Sequence, residues 1–140
     1  MLYLFKCDGV IAVVINSYPL LVYIVATLFC LDKFVCGLQW RVTLVEHIVF
    51  DVRFLPNPYY DVELRPKTGN DKEIQEFVMK YPESTEFINK LEDLIQFLIP
   101  QYIDEGKNHL VISIGCTGGK HRSVTLANEL YKRLNHEDRE

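Results

Sequence analysis

The chain lacks the paired cysteines that hold zinc or form a redox disulfide. It has four scattered cysteines, Cys7, Cys30, Cys36 and Cys116, and none of them belongs to a Cys-x-x-Cys pair. This spacing excludes the common zinc and thiol-redox motifs, so no metal site is predicted. Cys116 is expected to be a free thiol, which is typical of a protein from a reducing compartment such as the cytoplasm.

An excess of basic residues is missing as well. The 140 residues carry a formal net charge of −4, so the chain as a whole does not attract polyanions. Contact with RNA or DNA would therefore need a local basic surface. The sequence also has no internal repeats and no low-complexity stretches. Apolar residues make up 49% of the chain, which favours a folded domain with a core.

The first 47 residues differ from the rest in composition, because they are more apolar and carry fewer charges. Residues 9–31 contain no charged side chain, and the run is long enough to cross a bilayer as a helix, although Asn16, Ser17 and Pro19 interrupt it. Two other interpretations stay open, namely a buried apolar segment and out-of-frame or fused sequence. We therefore expect an apolar segment over 1–47 and a folded domain over 48–140. The location is predicted to be cytoplasmic, with membrane anchoring through 9–31 as the alternative.

From residue 48 onward the pattern is typical of an α/β domain. Residues 49–54 alternate and are rich in β-formers, so they predict a strand that the prolines of 55–58 end. The apolar run 110–114 predicts a second strand.

Helices are predicted between and after these strands. The first begins at Asn70, which forms a capping box with Glu73, and it stops at Pro82. The second begins near Ser84 and ends at Pro100, and the third covers 124–134. The apolar stripe of the second helix is either core or the face of a homo-oligomer.

This order of elements predicts an α/β fold with a small parallel sheet and crossover helices. Ligands of such sheets bind at the carboxyl ends of the strands. Asp51, Arg53 and Asn57 follow the first strand and are therefore predicted to face the loop that follows the second. Tyr59 and Tyr60 come next and could stack on a base or a sugar.

The loop after the second strand is the strongest functional signal. It reads Gly115-Cys-Thr-Gly-Gly-Lys-His-Arg-Ser123 and leads into a helix. Small residues allow backbone N–H groups to converge on an anion, and a helix N-terminus adds positive potential. The ligand is predicted to be phosphate or another oxyanion, and the candidate contacts are Cys116, Thr117, Gly118, Gly119, Lys120, His121, Arg122 and Ser123.

Two enzymatic interpretations of this loop compete with simple binding. A Walker A motif fails on spacing, and His121 stands where the motif needs a hydroxyl. The pattern Cys-x-x-Gly-x-x-Arg-Ser resembles the signature loop of cysteine-dependent phosphatases, with Cys116 as the nucleophile and Arg122 on the phosphate. Gly115 replaces the histidine usual in those enzymes, and Asp51 or Asp61 would have to be the general acid.

A longer resemblance covers about two-thirds of the chain. It is carried by residues 50–60, by Leu64-Arg-Pro66 with Thr68-Gly69, and by 114–123, in matching order and spacing from about Ile48 to Leu134. In these segments the chain resembles the C-terminal domain of the RapZ/YvcJ family, bacterial nucleotide-binding proteins and RNase adapters that bind small RNAs.

The resemblance implies a module that binds a phosphorylated sugar or RNA phosphate and is not an enzyme by itself. It places Asp51, Arg53 and Asn57 opposite the contacts of the glycine loop. A phosphorylated small molecule is the implied ligand, and a small RNA and a ribonuclease are the implied partners. ATP and GTP belong to a separate P-loop domain of the family, so no cofactor is expected in this chain.

The sequence departs from the family pattern at both ends. Residues 33–40 stand where the family has a further strand, and the chain stops at Glu140 before the family's last strand and basic tail. We therefore expect the sheet to be incomplete relative to the family domain.

Overall fold

The computed structural model describes residues 5–7, 10–17, 20–28, 48–107 and 109–136. The described strands are β1 (Phe5–Cys7), β2 (Val10–Ser17), β3 (Leu20–Leu28), β4 (Ile48–Asp51) and β5 (His109–Cys116). A 3₁₀ turn (Pro58–Tyr60) follows β4, and the α-helices are α1 (Lys72–Met79), α2 (Pro82–Asp104) and α3 (Arg122–His136).

The predicted parallel pair is present, and it is joined by crossover helices. β4 and β5 run parallel, with Ile48 opposite Ile112 and Asp51 opposite Gly115. Helices α1 and α2 lie between these two strands in the chain. The α/β class predicted from the sequence is thus confirmed.

The sheet continues beyond this pair, because β3 pairs with the other edge of β5. The strand order is β1-β2-β3-β5-β4. β3 is parallel to β5, and β2 is antiparallel to both β1 and β3. The described part of 9–31 therefore lies in β2 and β3, strands that the sequence analysis did not predict. Among the described residues no helix is long and apolar enough to cross a membrane. The departure at 33–40 falls outside the described residues.

Strand β5 is the centre of the hydrophobic core. Leu110, Ile112 and Ile114 have no exposed surface, as expected of a strand with neighbours on both edges and covered faces. The helices and the segment after β4 supply most of the rest. The core also contains Val52, Leu55, Ile74, Val78, Ile88, Leu91, Ile95, Cys116, Val124, Leu126, Ala127, Leu130 and Leu134.

Two predicted boundaries near the site were wrong. Strand β4 ends at Asp51 rather than at residue 54, because the Asp51 carboxylate accepts the N–H of Arg53 at 2.9 Å and turns the chain. Helix α1 is capped at Asp71 rather than by the predicted box. The Asp71 carboxylate accepts the N–H of Thr68 at 2.7 Å, and Glu73 pairs with Lys67 at 2.9 Å instead of reaching back to the cap.

The predicted end of the second helix was also wrong. Helix α2 begins at Pro82, where a missing N–H costs nothing, and it continues past Pro100 to Asp104. Ile99, Tyr102 and Ile103 on both sides of this proline pack against the core. Burial of these side chains offsets the loss of one hydrogen bond at Pro100.

Candidate functional site

The site is built where β5 ends and α3 begins. Residues 117–121 form the turn between them, and Gly119 has a φ of 57°. A side chain would be disfavoured in this left-handed conformation, which explains a glycine there. Helix α3 starts at Arg122, so its first N–H groups face the turn.

Hydrogen bonds hold a second loop, residues 61–71, against this turn. The N–H of Gly69 donates to the carbonyl of Lys120 at 2.9 Å. The Lys120 ammonium in turn donates to the carbonyls of Arg65 and Pro66, each at 3.0 Å. A Cβ atom on Gly69 would lie 2.5 Å from the carbonyl oxygen of His121, so only glycine allows this approach. The two loops therefore behave as one unit.

A cavity of about 640 Å³ opens between these segments. We call it the loop pocket. Its lining residues are Asn57, Tyr59, Tyr60, Arg65, Pro66, Cys116, Thr117, Gly118, Lys120, His121 and Arg122. The structure thus brings Asn57 together with most of the predicted loop contacts. Asp51, Arg53, Gly119 and Ser123 lie nearby but are not part of the wall.

Asp51 and Arg53 bond to each other beside the loop pocket. The Arg53 guanidinium donates to the Asp51 carboxylate from Nε at 2.8 Å and from Nη2 at 2.5 Å. This hydrogen bond holds the pKa of Asp51 below its usual value, against the opposing effect of burial. Asp51 and Arg53 lie next to the wall of the loop pocket, and their contact with a ligand remains a prediction.

Arg122 is buried and makes structural hydrogen bonds. Its Nη1 donates to the carbonyl oxygens of Arg53 at 3.0 Å and Leu55 at 2.7 Å, so it holds the segment that follows β4. Its Nη2 lies 3.4 Å from the Thr117 hydroxyl. Its Nε has no hydrogen-bond partner, although the side chain is only 4% exposed.

His121 has a second buried nitrogen without a partner. Its residue is 5% exposed, and Nε2 makes no hydrogen bond. Burial lowers the pKa of the imidazole below its usual value, partly opposed by the backbone carbonyls of Lys67 and Arg65. The ring is therefore mainly neutral at pH 7, and its Nε2 is a buried nitrogen without a hydrogen-bond partner.

Cys116 is a free, buried thiol at the base of the loop pocket. Its Sγ lies 3.2 Å from the Ser123 hydroxyl. Burial raises the pKa of this thiol, but hydrogen bonds from Ser123 and the Gly119 N–H, together with the Arg122 charge, outweigh burial and lower it overall.

The wall opposite the glycine loop is aromatic and basic. The Asn57 side chain accepts the N–H of Tyr59 at 3.2 Å and starts the 3₁₀ turn that carries both tyrosines. Arg65 stacks over the Tyr59 ring at 4.7 Å and donates from Nε to the Tyr59 carbonyl at 2.9 Å. The sequence analysis did not single out Arg65 or Pro66 as site residues. The string Leu64-Arg-Pro66 within the family resemblance was the signal that could have found them.

The charged side chains that line the loop pocket are all basic. Arg65, Lys120 and Arg122 are permanent cations, and no carboxylate is among the lining residues. Asp61, one of the two candidate general acids, accepts the N–H of Glu63 at 2.9 Å outside the wall. The described residues contain no group of three His, Cys, Asp or Glu side chains able to hold a metal ion. This arrangement can bind an anion, and it offers the thiol no acid partner in the wall.

Comparison with known proteins defines the class. The profile of the RapZ C-terminal domain matches residues 36–140, so the match begins upstream of Ile48 and covers the whole of the site. The chain belongs to the RapZ C-terminal domain family.

Relatives agree with this assignment. A nucleotide-binding protein of Agathobacter rectalis is 71% identical over 98 residues, which cover 70% of this chain and 34% of the relative. Nucleotide-binding proteins of Thermoanaerobacter sp. strain X514 and Clostridium novyi are 62% and 55% identical over 102 and 104 residues, covering 73% and 74% of this chain and 36% and 35% of their own length. The chain thus spans about a third of the relatives that it matches.

Proposed function

We propose that this chain is an anion-binding module whose loop pocket takes the phosphate group of a phosphorylated small molecule. The observation that carries the proposal is the pair of buried, unpartnered nitrogens, Nε2 of His121 and Nε of Arg122. A buried polar group without a partner costs about 1–3 kcal/mol, so native proteins rarely leave one without a ligand or a water. Nε of Arg122 is a donor, and Nε2 of His121 becomes a donor when the ring takes up a proton, so in a cation-lined wall the two favour an oxyanion as their partner.

The size of the loop pocket favours an organic ligand over bare phosphate. Its 640 Å³ lie within the range of about 300–1,000 Å³ that is common for sites of small organic ligands. Tyr59 and Tyr60 are 51% and 81% exposed at its rim, where a ring could pack. A phosphorylated sugar fits this combination of basic floor and aromatic rim. The relatives' name, nucleotide-binding protein, is in keeping with phosphate recognition.

RNA is an alternative ligand, because its backbone presents the same phosphate group. The RNase adapters that the sequence resembles act on RNA together with a ribonuclease partner. The net charge of −4 does not favour a long polyanion, since such binding depends on many phosphate contacts. We therefore place the small phosphorylated molecule first and make RNA an outcome of the binding test.

The decisive variant is Asn57→Asp. An aspartate keeps the oxygen that accepts the Tyr59 N–H, and it adds a negative charge to a wall that has none. Calorimetry with inorganic phosphate, a hexose phosphate, a nucleoside monophosphate and a short single-stranded RNA should show binding to the wild type and loss in the variant. The matched control is Asn70→Asp, which makes the same change outside the wall and keeps the oxygen that accepts the Asn128 amide at 2.9 Å.

The test has a clear negative outcome. If none of the four anions binds the wild type, or if Asn57→Asp and Asn70→Asp bind equally well, the loop pocket is not the anion site. Tightest binding of the RNA, with a steep salt dependence, would assign the site to RNA phosphate instead.

The enzymatic alternative is tested separately with a generic aryl phosphate. We expect no turnover, because the wall holds no carboxylate to protonate a leaving group. Turnover that Cys116→Ser abolishes would replace the binding module by a cysteine-dependent phosphatase.

A further inference from the structure

We propose that Cys116 is a modification site, at which a peroxide oxidises the thiol to a sulfenic acid, and that an anion in the loop pocket blocks this reaction. The blocking part rests on the proposed function. The modification itself depends only on the geometry around the sulfur.

The sulfur lies at the point where the loop directs its hydrogen-bond donors. The Ser123 hydroxyl is 3.2 Å from Sγ. The backbone N–H groups of Ser123 and Gly119 also lower the pKa of the thiol. The Arg122 guanidinium adds a positive charge from the first residue of α3. These groups stabilise a thiolate, which is the form of cysteine that reacts.

The loop pocket gives this sulfur an open side. Cys116 is 2% exposed, yet it lines the cavity together with Thr117 and Gly118. A peroxide is scarcely larger than a water molecule and can enter a cavity of about 640 Å³.

A second, independent observation points to a polar occupant next to the sulfur. Nε2 of His121 and Nε of Arg122 are both without partners, and their residues are more than nine-tenths buried in the same wall. A small polar molecule that reaches these nitrogens after a side-chain shift would satisfy them, because a peroxide and a sulfenic acid can each donate and accept a hydrogen bond. A buried thiol in an apolar turn would have no such neighbours.

The chemistry balances with the peroxide as the oxidant. The Cys116 thiolate attacks one peroxide oxygen, the S–O bond forms, and the O–O bond breaks. The sulfur is oxidised by two electrons, and each of the two peroxide oxygens is reduced by one. The departing oxygen keeps the O–O bonding pair and leaves as hydroxide, which takes a proton from solvent to become water. Arg122 faces the negative charge that develops on the departing oxygen.

An anion and a peroxide would compete for the same donors. An oxyanion on His121 and Arg122 fills the open side of the sulfur and adds negative charge beside it. Both effects slow the reaction, because they deny access and disfavour the thiolate. The redox state of Cys116 would then report whether the loop pocket is occupied.

The experiment measures trapping of sulfenic acid by dimedone after exposure to hydrogen peroxide, with each cysteine followed by mass spectrometry. Cys7, Cys30 and Cys36 serve as internal references, and Cys116→Ser as the blank. Each reaction is run on the folded chain and on the chain unfolded in urea, with and without inorganic phosphate. Phosphate binding is measured by calorimetry on the same samples, and Asn70→Asp is the unchanged control.

We expect Cys116 to be labelled several times faster in the folded chain than in urea, and phosphate to slow the folded reaction in proportion to the occupied fraction. Equal or slower labelling in the folded chain overturns the modification site, whatever phosphate does. Fast labelling without any phosphate binding supports the modification site and rejects the anion pocket. Fast labelling that bound phosphate does not slow overturns the coupling between the two.

Discussion

Nη1 of Arg122 lies 2.7 Å from the carbonyl oxygen of Leu55, although the two residues are 67 positions apart in the chain. The same nitrogen also reaches the carbonyl of Arg53 at 3.0 Å. The first residue of α3 therefore holds the segment between β4 and the 3₁₀ turn, which carries Asn57 to the loop pocket. Arg122 both lines the site and keeps its opposite wall in place.

Replacement of Arg122 by lysine tests this double role. Lysine keeps a positive charge but cannot reach both carbonyls with the guanidinium geometry. We expect a loss of about 1.5–3 kcal/mol in the free energy of unfolding, because two hydrogen bonds from a charged buried group are lost. Urea denaturation measures the loss, and calorimetry with phosphate should show weaker binding as well.

Arg133→Lys is the matched control for that experiment. Arg133 joins α3 to α2 through Glu92 at 3.1 Å and Asn89 at 2.6 Å, away from the loop pocket. Its partly exposed ion pairs contribute about 0–1 kcal/mol, so we expect a small change in the free energy of unfolding. Phosphate affinity should not change. A matching loss of affinity in Arg133→Lys would mean that Arg122 acts through general stability alone.

Replacement by alanine should destabilise the fold at Gly69 but not at Gly118. A Cβ on Gly69 would lie 2.5 Å from the His121 carbonyl oxygen and 2.6 Å from the Thr125 nitrogen. Gly69→Ala should therefore cost about 1–3 kcal/mol in the free energy of unfolding, since backbone atoms would have to move. At Gly118 a Cβ would meet nothing within 4 Å, so Gly118→Ala should fold normally. Equal melting temperatures for the two variants would contradict the packing of the two loops.

Anion binding should strengthen as the pH falls below 6.5. Burial lowers the pKa of His121, so its imidazole is neutral in the free protein at pH 7. A bound anion favours the protonated ring and therefore binds more tightly once that proton is available. Calorimetry with sulfate, which does not titrate in this range, measures the effect. His121→Gln should make sulfate affinity independent of pH between 5 and 7.5, and an unchanged slope would assign the effect to another group.

The same histidine sets a pH dependence of stability in the absence of ligand. Because the pKa of His121 is lower in the folded chain than its value of 6.5, the unfolded chain binds more protons in mild acid. The contribution of His121 to the free energy of unfolding is therefore fully present above pH 6.5 and decreases as the pH falls towards the folded pKa. Thermal melts from pH 7.5 to 5 should show this decrease in the wild type and a smaller one in His121→Gln.

Tyr60→Ala separates recognition of the phosphate from recognition of the rest of the ligand. The side chain is 81% exposed, so its removal should change the free energy of unfolding by less than about 0.5 kcal/mol. We expect inorganic phosphate to bind as before and a hexose phosphate to bind more weakly. Equal loss for both ligands would place Tyr60 at the phosphate itself.

The sequence predicted the elements whose signals are local. The apolar run before Gly115 and the prolines after residue 54 located the two parallel strands that frame the site, and the spacing of apolar residues located the helices. Pro100 misled the prediction, because the side chains around it are buried against elements distant in the chain. β2 and β3 were missed, since an uncharged run fits a buried strand or a membrane helix equally well until its partners are known.

The sequence predicted the residues that line the loop pocket better in the glycine loop than elsewhere. Residues 116–122 are adjacent in the chain, so their convergence could be inferred from a strand-to-helix turn. Lys120 holds the carbonyls of Arg65 and Pro66 beside the loop pocket, a contact across more than 50 positions that the sequence does not reveal. Asp51 and Arg53 were predicted to face the loop, and their bidentate bond to each other could not be foreseen from their spacing alone.

The position of β5 in the sheet has a consequence for biosynthesis. This strand is the last of the five described strands in the chain, yet it lies between β3 and β4. On the ribosome, β3 emerges with one edge unpaired and β4 with both, until residues 109–116 are inserted between them. Nascent chains halted before β5 should therefore expose unpaired strand edges and depend on chaperones, whereas chains from which β5 has emerged should complete this part of the sheet.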